Sequence, residues 1–219
     1  MADWGIPGKD TCSVELLDAF QRCGRALFYG GLNNSHSGNI SQRDGEMYWV
    51  TRTRSMCHEL SAKDVIKAAV DGTTDRTSLS REAIVHEAIY NATSHQAVVH
   101  CHPRHAIALA FVLDGFHPLQ IEGYGALPGL VPVLETANAS ASPELCEKLA
   151  PMLRDYPAVM VRGHGLFVGA SSIDEATHRA CVVDETAFYL TVTMQLGADH
   201  AALLKKPYVA AGYRPAVRP

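Results

Sequence analysis

The stretch "VVHCHPRHAIALAF", Val98–Phe111, places three histidines, His100, His102 and His105, within six positions directly after an apolar run. Residues 96–101 read as a short buried strand, and Pro103 suits the first turn of a helix that follows. Alternate side chains of a strand share a face, so His100 and His102 point the same way and can share a metal ion. Cys101, between them, points to the opposite face and is only a minor ligand candidate. His105 falls on the following helix and is left outside the ligand set. The third ligand is expected from "AVMVRGHGLFVGA", residues 158–170, where His164 stands between Gly163 and Gly165. Glycines there let the backbone turn tightly and bring His164 close to another element. Three histidines with an open position are the pattern of a catalytic zinc rather than a structural one.

Working outward, apolar runs and helical spacing alternate. Residues 11–30 show helical spacing that stops at Gly30-Gly31. "NNSHSGN" (33–39) is loop chemistry, and "EMYWVT" (46–51) is strand-like. In "SAKDVIKAAVDGT" (61–73) Ser61 and Asp64 resemble a capping box, yet Val65–Val70 suits a strand, so both readings stay open. "SREAIVHEAIYNAT" (80–93) reads as a helix capped by Ser80, with Ala83, Ile84, Ala88 and Ile89 on its buried side. "LVPVLE" and "AVMVRG" are further strands. Ser142 caps a helix with Pro143 at its first position, and Ser172 with Glu175 forms a capping box before a long helix, 173–196. Alternating strands and helices indicate a layered α/β fold, expected as one domain over 1–205 with a tail at 206–219.

The 219 residues are 47% apolar, with a formal net charge of −4 and no basic block, which argues against a nucleic-acid partner. No apolar run is long enough to span a bilayer, and the first ten residues lack a signal-peptide pattern, so a cytoplasmic protein is expected. Six scattered cysteines without a CxxC read as reduced, mostly buried thiols.

Chemistry beside a metal-polarised oxygen also needs a base. Glu82 lies at the start of the helix before the histidine strand. Spacing alone leaves it open between a base and a carboxylate placed for the helix dipole. His86, one turn on, either lines the same cleft or fills the core.

Five pieces, "SGNIS", "VTRTRSM", "SRE…H…Y", "VVHCHPRHA" and "RGHGLFV", spread from about Phe20 to Leu196, resemble in order and spacing the class II aldolase/adducin family. The resemblance implies a three-layer α/β/α fold around a mainly antiparallel sheet. It also implies a cyclic homotetramer with active sites at subunit interfaces and one divalent metal per subunit, usually Zn2+, with Mn2+ or Co2+ as alternatives. Carried over by motif, His100, His102 and His164 match the metal ligands, and Glu82 matches the acid that moves the substrate proton. Asn39, Thr53 and Ser80 match contacts to substrate and its phosphate. The implied reaction is retro-aldol cleavage of a small sugar phosphate through an enediolate that the metal stabilises.

Two departures matter. The phosphate cradle of the family reads Thr-Gly and Ser-Ser, whereas this chain has Thr53-Arg54 and Ser80-Arg81. The two arginines either reach the same anion, receive a carboxylate instead, or face solvent. Ungapped counting also puts Ile121, followed by Glu122, where the aldolase has its tyrosine proton donor, with Tyr124 out of register. These changes raise a metal-dependent decarboxylase of the same family as the alternative, and an adducin-like scaffold as a third reading. In the tail, Tyr208 and Tyr213 are candidates to reach a neighbouring subunit's site.

Overall fold

The computed structural model describes residues 11–206 and Val209; Tyr208 and Tyr213 lie outside the described residues. The first helix, α1 (Val14–Tyr29), starts at Ser13, whose Oγ accepts from the Leu16 N–H, and buries Phe20, Cys23 and Leu27. It stops at the expected glycine pair, where Gly31 takes φ +77°.

The expected loop then gives way to β1 (Asn39–Asp44), which turns through Gly45 into β2 (Met47–Thr51). Both readings of 61–73 hold in succession. A single 3-10 turn, Ala62–Asp64, is closed by the Ser61–Asp64 box and runs into β3 (Val65–Ala69). Next come α2 (Ala83–Ala92), β4 (Ala97–Cys101), α3 (Arg104–Ala110), β5 (Gly115–Phe116), α4 (Ile121–Ala126) and β6 (Val131–Leu134). The chain closes with α5 (Pro143–Asp155), β7 (Ala158–Val161), β8 (Gly165–Ala170), α6 (Ile173–Gln195) and α7 (His200–Leu204).

Two caps depart from expectation. Ser80 does not cap α2: the N-terminal residue is Glu82, and Ser80 Oγ accepts from the Glu82 N–H at 3.3 Å in the turn before it. At α6, Ser172 Oγ accepts from the Glu175 N–H as expected, but the Glu175 carboxylate returns to the backbone of Ser171 rather than that of Ser172.

The strands form one eight-stranded sheet in the order β3-β2-β1-β4-β8-β7-β6-β5, antiparallel except for β6 against β7. Period-two alternation divides its side chains between two cores. Ala97, Val99 and Cys101 of β4 pack with Phe20 of α1, Leu109 of α3 and Val183 of α6. Val98 packs on the other face with Ile89 of α2 and with Leu145, Leu149 and Leu153 of α5. Each of those buried leucines contributes roughly 1.5–3 kcal/mol of apolar burial. Helices thus cover both faces of a mainly antiparallel sheet, the expected three-layer arrangement, and β4 at its centre carries His100.

Candidate metal centre and cleft

β4 pairs with β1 on one side, Asn39 opposite His100, and with β8 on the other, Cys101 opposite Leu166. The turn between β7 and β8 therefore lands beside the end of β4. Gly163 turns it with φ +71°, and Gly165 lets it close in. A Cβ on Gly165 would lie 2.5 Å from the Cys101 carbonyl, 2.7 Å from the His102 ring and 3.0 Å from the His100 ring. Only a residue without a side chain allows the three imidazoles to converge.

They do converge: potential ligand atoms of His100, His102 and His164 all lie within 4.8 Å of one another. The Nδ1 of His100 donates to the Leu166 carbonyl at 3.0 Å, which leaves its Nε2 as a lone pair facing His102 Nε2 at 2.9 Å. At most one of the two facing nitrogens carries a proton. Burial, with the neighbouring rings adding to it, holds His100 well below the ordinary histidine range, and burial followed by His164 lowers His102 to about 4. Both rings are thus in the neutral form a metal requires. His164 Nδ1 is buried without a hydrogen-bond partner among the described residues. Converging lone pairs, an unpartnered ring nitrogen and a cradle closed by glycine fit a divalent cation, so this triad could hold a metal.

The minor candidate Cys101 and the neighbouring His105 lie elsewhere. Cys101 faces the opposite core. His105 Nδ1 lies 3.0 Å from Asp184 of α6, whose carboxylate also accepts the His105 backbone N–H. That carboxylate caps α3, a task the Pro103 side chain cannot perform.

Glu82 is 5% exposed, with Oε1 3.9 Å from His164 Nε2. The sequence places it in the first turn of a helix; the fold puts it at the end of α2, against a loop 58 residues away. There Ser140 Oγ donates to Oε1 at 2.5 Å and the Ala141 N–H donates to Oε2 at 3.1 Å. Ala141 adopts φ +45°, a left-handed conformation that costs a residue with a Cβ about 1–2 kcal/mol. Sequence reasoning missed Ser140 and Ala141. Their only sequence signal, the small-residue run "ANASASP" (137–143), announces a helix cap and nothing more.

Asn39 is held from behind. Its Oδ1 can only accept, so His86 Nε2 donates to it at 2.6 Å. His86 Nδ1 must then accept from Ser41 Oγ at 2.6 Å, and Ser41 Oγ accepts from the Tyr90 hydroxyl at 2.5 Å. Burial lowers His86 to about 3. His86 is therefore a core residue that orients Asn39, not a cleft wall, and the Asn39 amide keeps its N–H donors for the cleft.

Thr53, Arg54, Ser80 and Arg81 meet because two loops pair. Arg52 bridges Leu79, the Thr53 N–H donates to Ser78 O, and the Ser80 N–H donates to Thr51 O. All the expected site residues, His100, His102, His164, Glu82, Asn39, Thr53, Arg54, Ser80 and Arg81, line one cleft of about 320 Å³. Ile121, Glu122 and Tyr124 do not line it. Ile121 is 71% exposed, Glu122 lies near His178, and Tyr124 borders a separate apolar cavity with His117 and Pro118.

The comparisons agree with this architecture. A family described as "Class II Aldolase and Adducin N-terminal domain" matches residues 18–190. The crystal structure of L-fuculose-1-phosphate aldolase from Thermus thermophilus is similar with a TM-score of 0.80 at 31% identity, covering 85% of this chain and 98% of that one. The 3-oxo-tetronate 4-phosphate decarboxylase of Cupriavidus necator is 27% identical over 203 residues, 88% of this chain and 91% of that protein. A probable bifunctional methylthioribose-1-phosphate isomerase/methylthioribulose-1-phosphate dehydratase of Nocardia farcinica is 28% identical over 195 residues, 81% of this chain. The match spans only 35% of that longer protein.

Proposed function

The chain belongs to the class II aldolase and adducin family, and on that premise we propose that it is a divalent-metal-dependent carbon–carbon lyase that cleaves a small sugar phosphate in the retro-aldol direction. The observation that carries this reading is the position of Glu82, a buried carboxylate 3.9 Å from one histidine of a metal-competent triad, on the wall of a polar cleft.

His100, His102 and His164 would hold the ion, zinc by preference. A divalent cation bound there supplies a Lewis acid that polarises a substrate oxygen and stabilises negative charge next to it. In the cleavage direction Glu82 accepts the proton of the hydroxyl whose carbon leaves as the aldehyde and delivers it to the donor carbon; in the reverse direction it removes the proton from that carbon. Ser140 and the Ala141 N–H hold that carboxylate against rotation, so its free lone pairs face the cleft. Asn39, oriented by His86, donates to a substrate oxygen. Thr53 and Ser80 offer hydroxyls, and the paired loops offer backbone N–H groups, to the phosphate.

The family resemblance further supports a homotetramer in the cytoplasm. Phe111 and Val112 are 63% and 70% exposed, and the Phe111 ring approaches Gly163 beside the site. A second copy covering this apolar patch would place a subunit interface next to the cleft.

Decarboxylation is the second reading, favoured by Arg54 and Arg81 on the cleft wall. Loss of CO2 leaves the same kind of carbanion, which Glu82 would protonate. Products decide between the two. With dihydroxyacetone phosphate and short aldehydes, a ketose phosphate supports the aldolase. CO2 release from β-keto or aromatic acids, without aldehyde, would replace it by the decarboxylase.

A further inference from the structure

Val161 ends β7 and Gly165 begins β8, so the tip that carries the third metal ligand consists of Arg162, Gly163 and His164. Strand pairing fixes the stem of this hairpin and leaves open where its tip leans. Gly163 is exposed, with φ +71°. The His164 ring does not anchor the tip: its Nδ1 has no hydrogen-bond partner among the described residues, and its Nε2 lies 3.9 Å from Glu82. The side chain of the tip that does form hydrogen bonds is Arg162.

Its guanidinium is 20% exposed and uses all three nitrogens. Nη1 donates to the Ala110 carbonyl and, at 3.4 Å, to that of Leu113; Nη2 donates to Asp114 Oδ1 at 2.6 Å and Nε to Glu135 Oε2 at 2.9 Å. Ala110 is buried and is the last residue of α3, where a helix leaves carbonyls without an intrahelical partner. The two acids are exposed, and ion pairs open to water contribute little. The charge-assisted bond to the buried Ala110 carbonyl therefore carries most of the tie. The Phe111 ring, next in sequence, lies 3.8 Å from where a Gly163 Cβ would stand, so both neighbours of the tip come from the end of α3. That helix begins at Arg104, two residues after His102. Arg162 thus joins the helix leaving one pair of ligands to the turn carrying the third.

We infer that Arg162 is a positioning residue of the metal centre: through the end of α3 it sets how far His164 stands from His100 and His102. Arg162 does not line the cleft itself. Its effect passes through His164, because binding groups must be held within about 0.5 Å of their productive positions. The sign of the effect separates this role from charge. Removing a cation near the site would, by Coulomb's law alone, strengthen the binding of another cation. Loss of the tie weakens it. The inference rests on the metal-dependent reading of the cleft and adds a residue outside it.

The test is titration of the metal-free full chain with Co2+, whose visible absorption reports the number and geometry of its ligands. Arg162→Met keeps the length of the side chain and removes its donors; His164→Ala supplies the spectrum of a site short of one ligand. Arg162→Met is expected to bind Co2+ about tenfold or more weakly, with its bands moved toward those of His164→Ala. Arg162→Lys, with one ammonium in place of the fork, should fall between Arg162→Met and the wild type in both readings. Circular dichroism establishes that each spectrum comes from folded protein, and a loss of stability alone leaves the spectrum of the folded site unchanged. Wild-type affinity and bands in folded Arg162→Met overturn the inference and leave the metal centre standing. Tighter binding in that variant would reduce Arg162 to a nearby charge and likewise overturn it. Should Arg162→Met fail to fold, Arg162→Lys decides, and identity with the wild type in affinity and bands overturns the inference. Binding of no Co2+ by the wild type removes the metal reading and the inference with it.

Discussion

Ser140 Oγ donates to Glu82 Oε1 at 2.5 Å, joining the loop before α5 to the N-terminal end of α2. With the Ala141 N–H on the second oxygen, both carboxylate oxygens are held from one side. The side that remains faces His164 and the cleft. Ser140→Ala should leave a buried carboxylate one donor short and lower stability by about 1–3 kcal/mol, read by urea denaturation. Metal content should stay at the wild-type level, because Ser140 touches none of the three histidines. A variant as stable as the wild type would show that the bond contributes nothing to holding Glu82.

Gly165 sets how closely the three imidazoles approach. Gly165→Ala would put a methyl group 2.5 Å from the Cys101 carbonyl and 2.7 Å from the His102 ring. The β7–β8 turn must then retreat from β4, at a cost of about 1–3 kcal/mol. Zinc affinity should fall with it. Unchanged affinity in a folded Gly165→Ala protein would mean that the triad does not share an ion.

His100→Ala and His164→Ala should each reduce bound zinc from about one ion per chain to a trace, measured by mass spectrometry of the dialysed protein. His105→Ala should retain it, since the His105 ring is engaged with Asp184. Zinc retained by His164→Ala would take that residue out of the ligand set.

His86 links the site to acid stability. Burial lowers it to about 3 in the fold from an ordinary value of 6.5. Between those two values the unfolded chain binds a proton that the folded chain does not. Stability is therefore full above pH 6.5 and declines as pH falls toward 3, at about 1.4 kcal/mol per pH unit from this group. His86→Gln, which can still donate to Asn39 Oδ1 but does not titrate, should be less stable near neutrality and less steep in acid. Urea denaturation of the metal-free protein from about pH 6.5 down to about pH 4 checks this. Equal slopes for the two proteins would show that His86 is protonated in the fold.

Much of the site was legible because its signals are local. A strand places His100 and His102 on one face by period alone, and glycines around His164 announce a close approach. What the sequence left open was non-local. Whether His86 faces cleft or core depends on Ser41 and Asn39 arriving across the sheet on β1. The partners of Glu82 sit in a loop with no pattern of its own, and a helix-cap reading accounted for its only conspicuous residues. The misplaced cap has the same origin: Ser80 stands where a cap is expected, but the bridge between Arg52 and Leu79 draws it into the paired loops and delays the helix to Ala83. Nothing in spacing announces the left-handed turn at Arg54, where φ is +62°.

The most direct test is proton exchange on the donor half-substrate. Zinc-loaded protein with dihydroxyacetone phosphate in D2O, followed by proton NMR, should exchange one C3 proton stereospecifically. Glu82→Gln should bind the same zinc and lose the exchange. Exchange at the wild-type rate in Glu82→Gln would contradict the role given to Glu82. No exchange in the zinc-loaded wild type would contradict retro-aldol chemistry itself and leave decarboxylation of an acid held by Arg54 and Arg81.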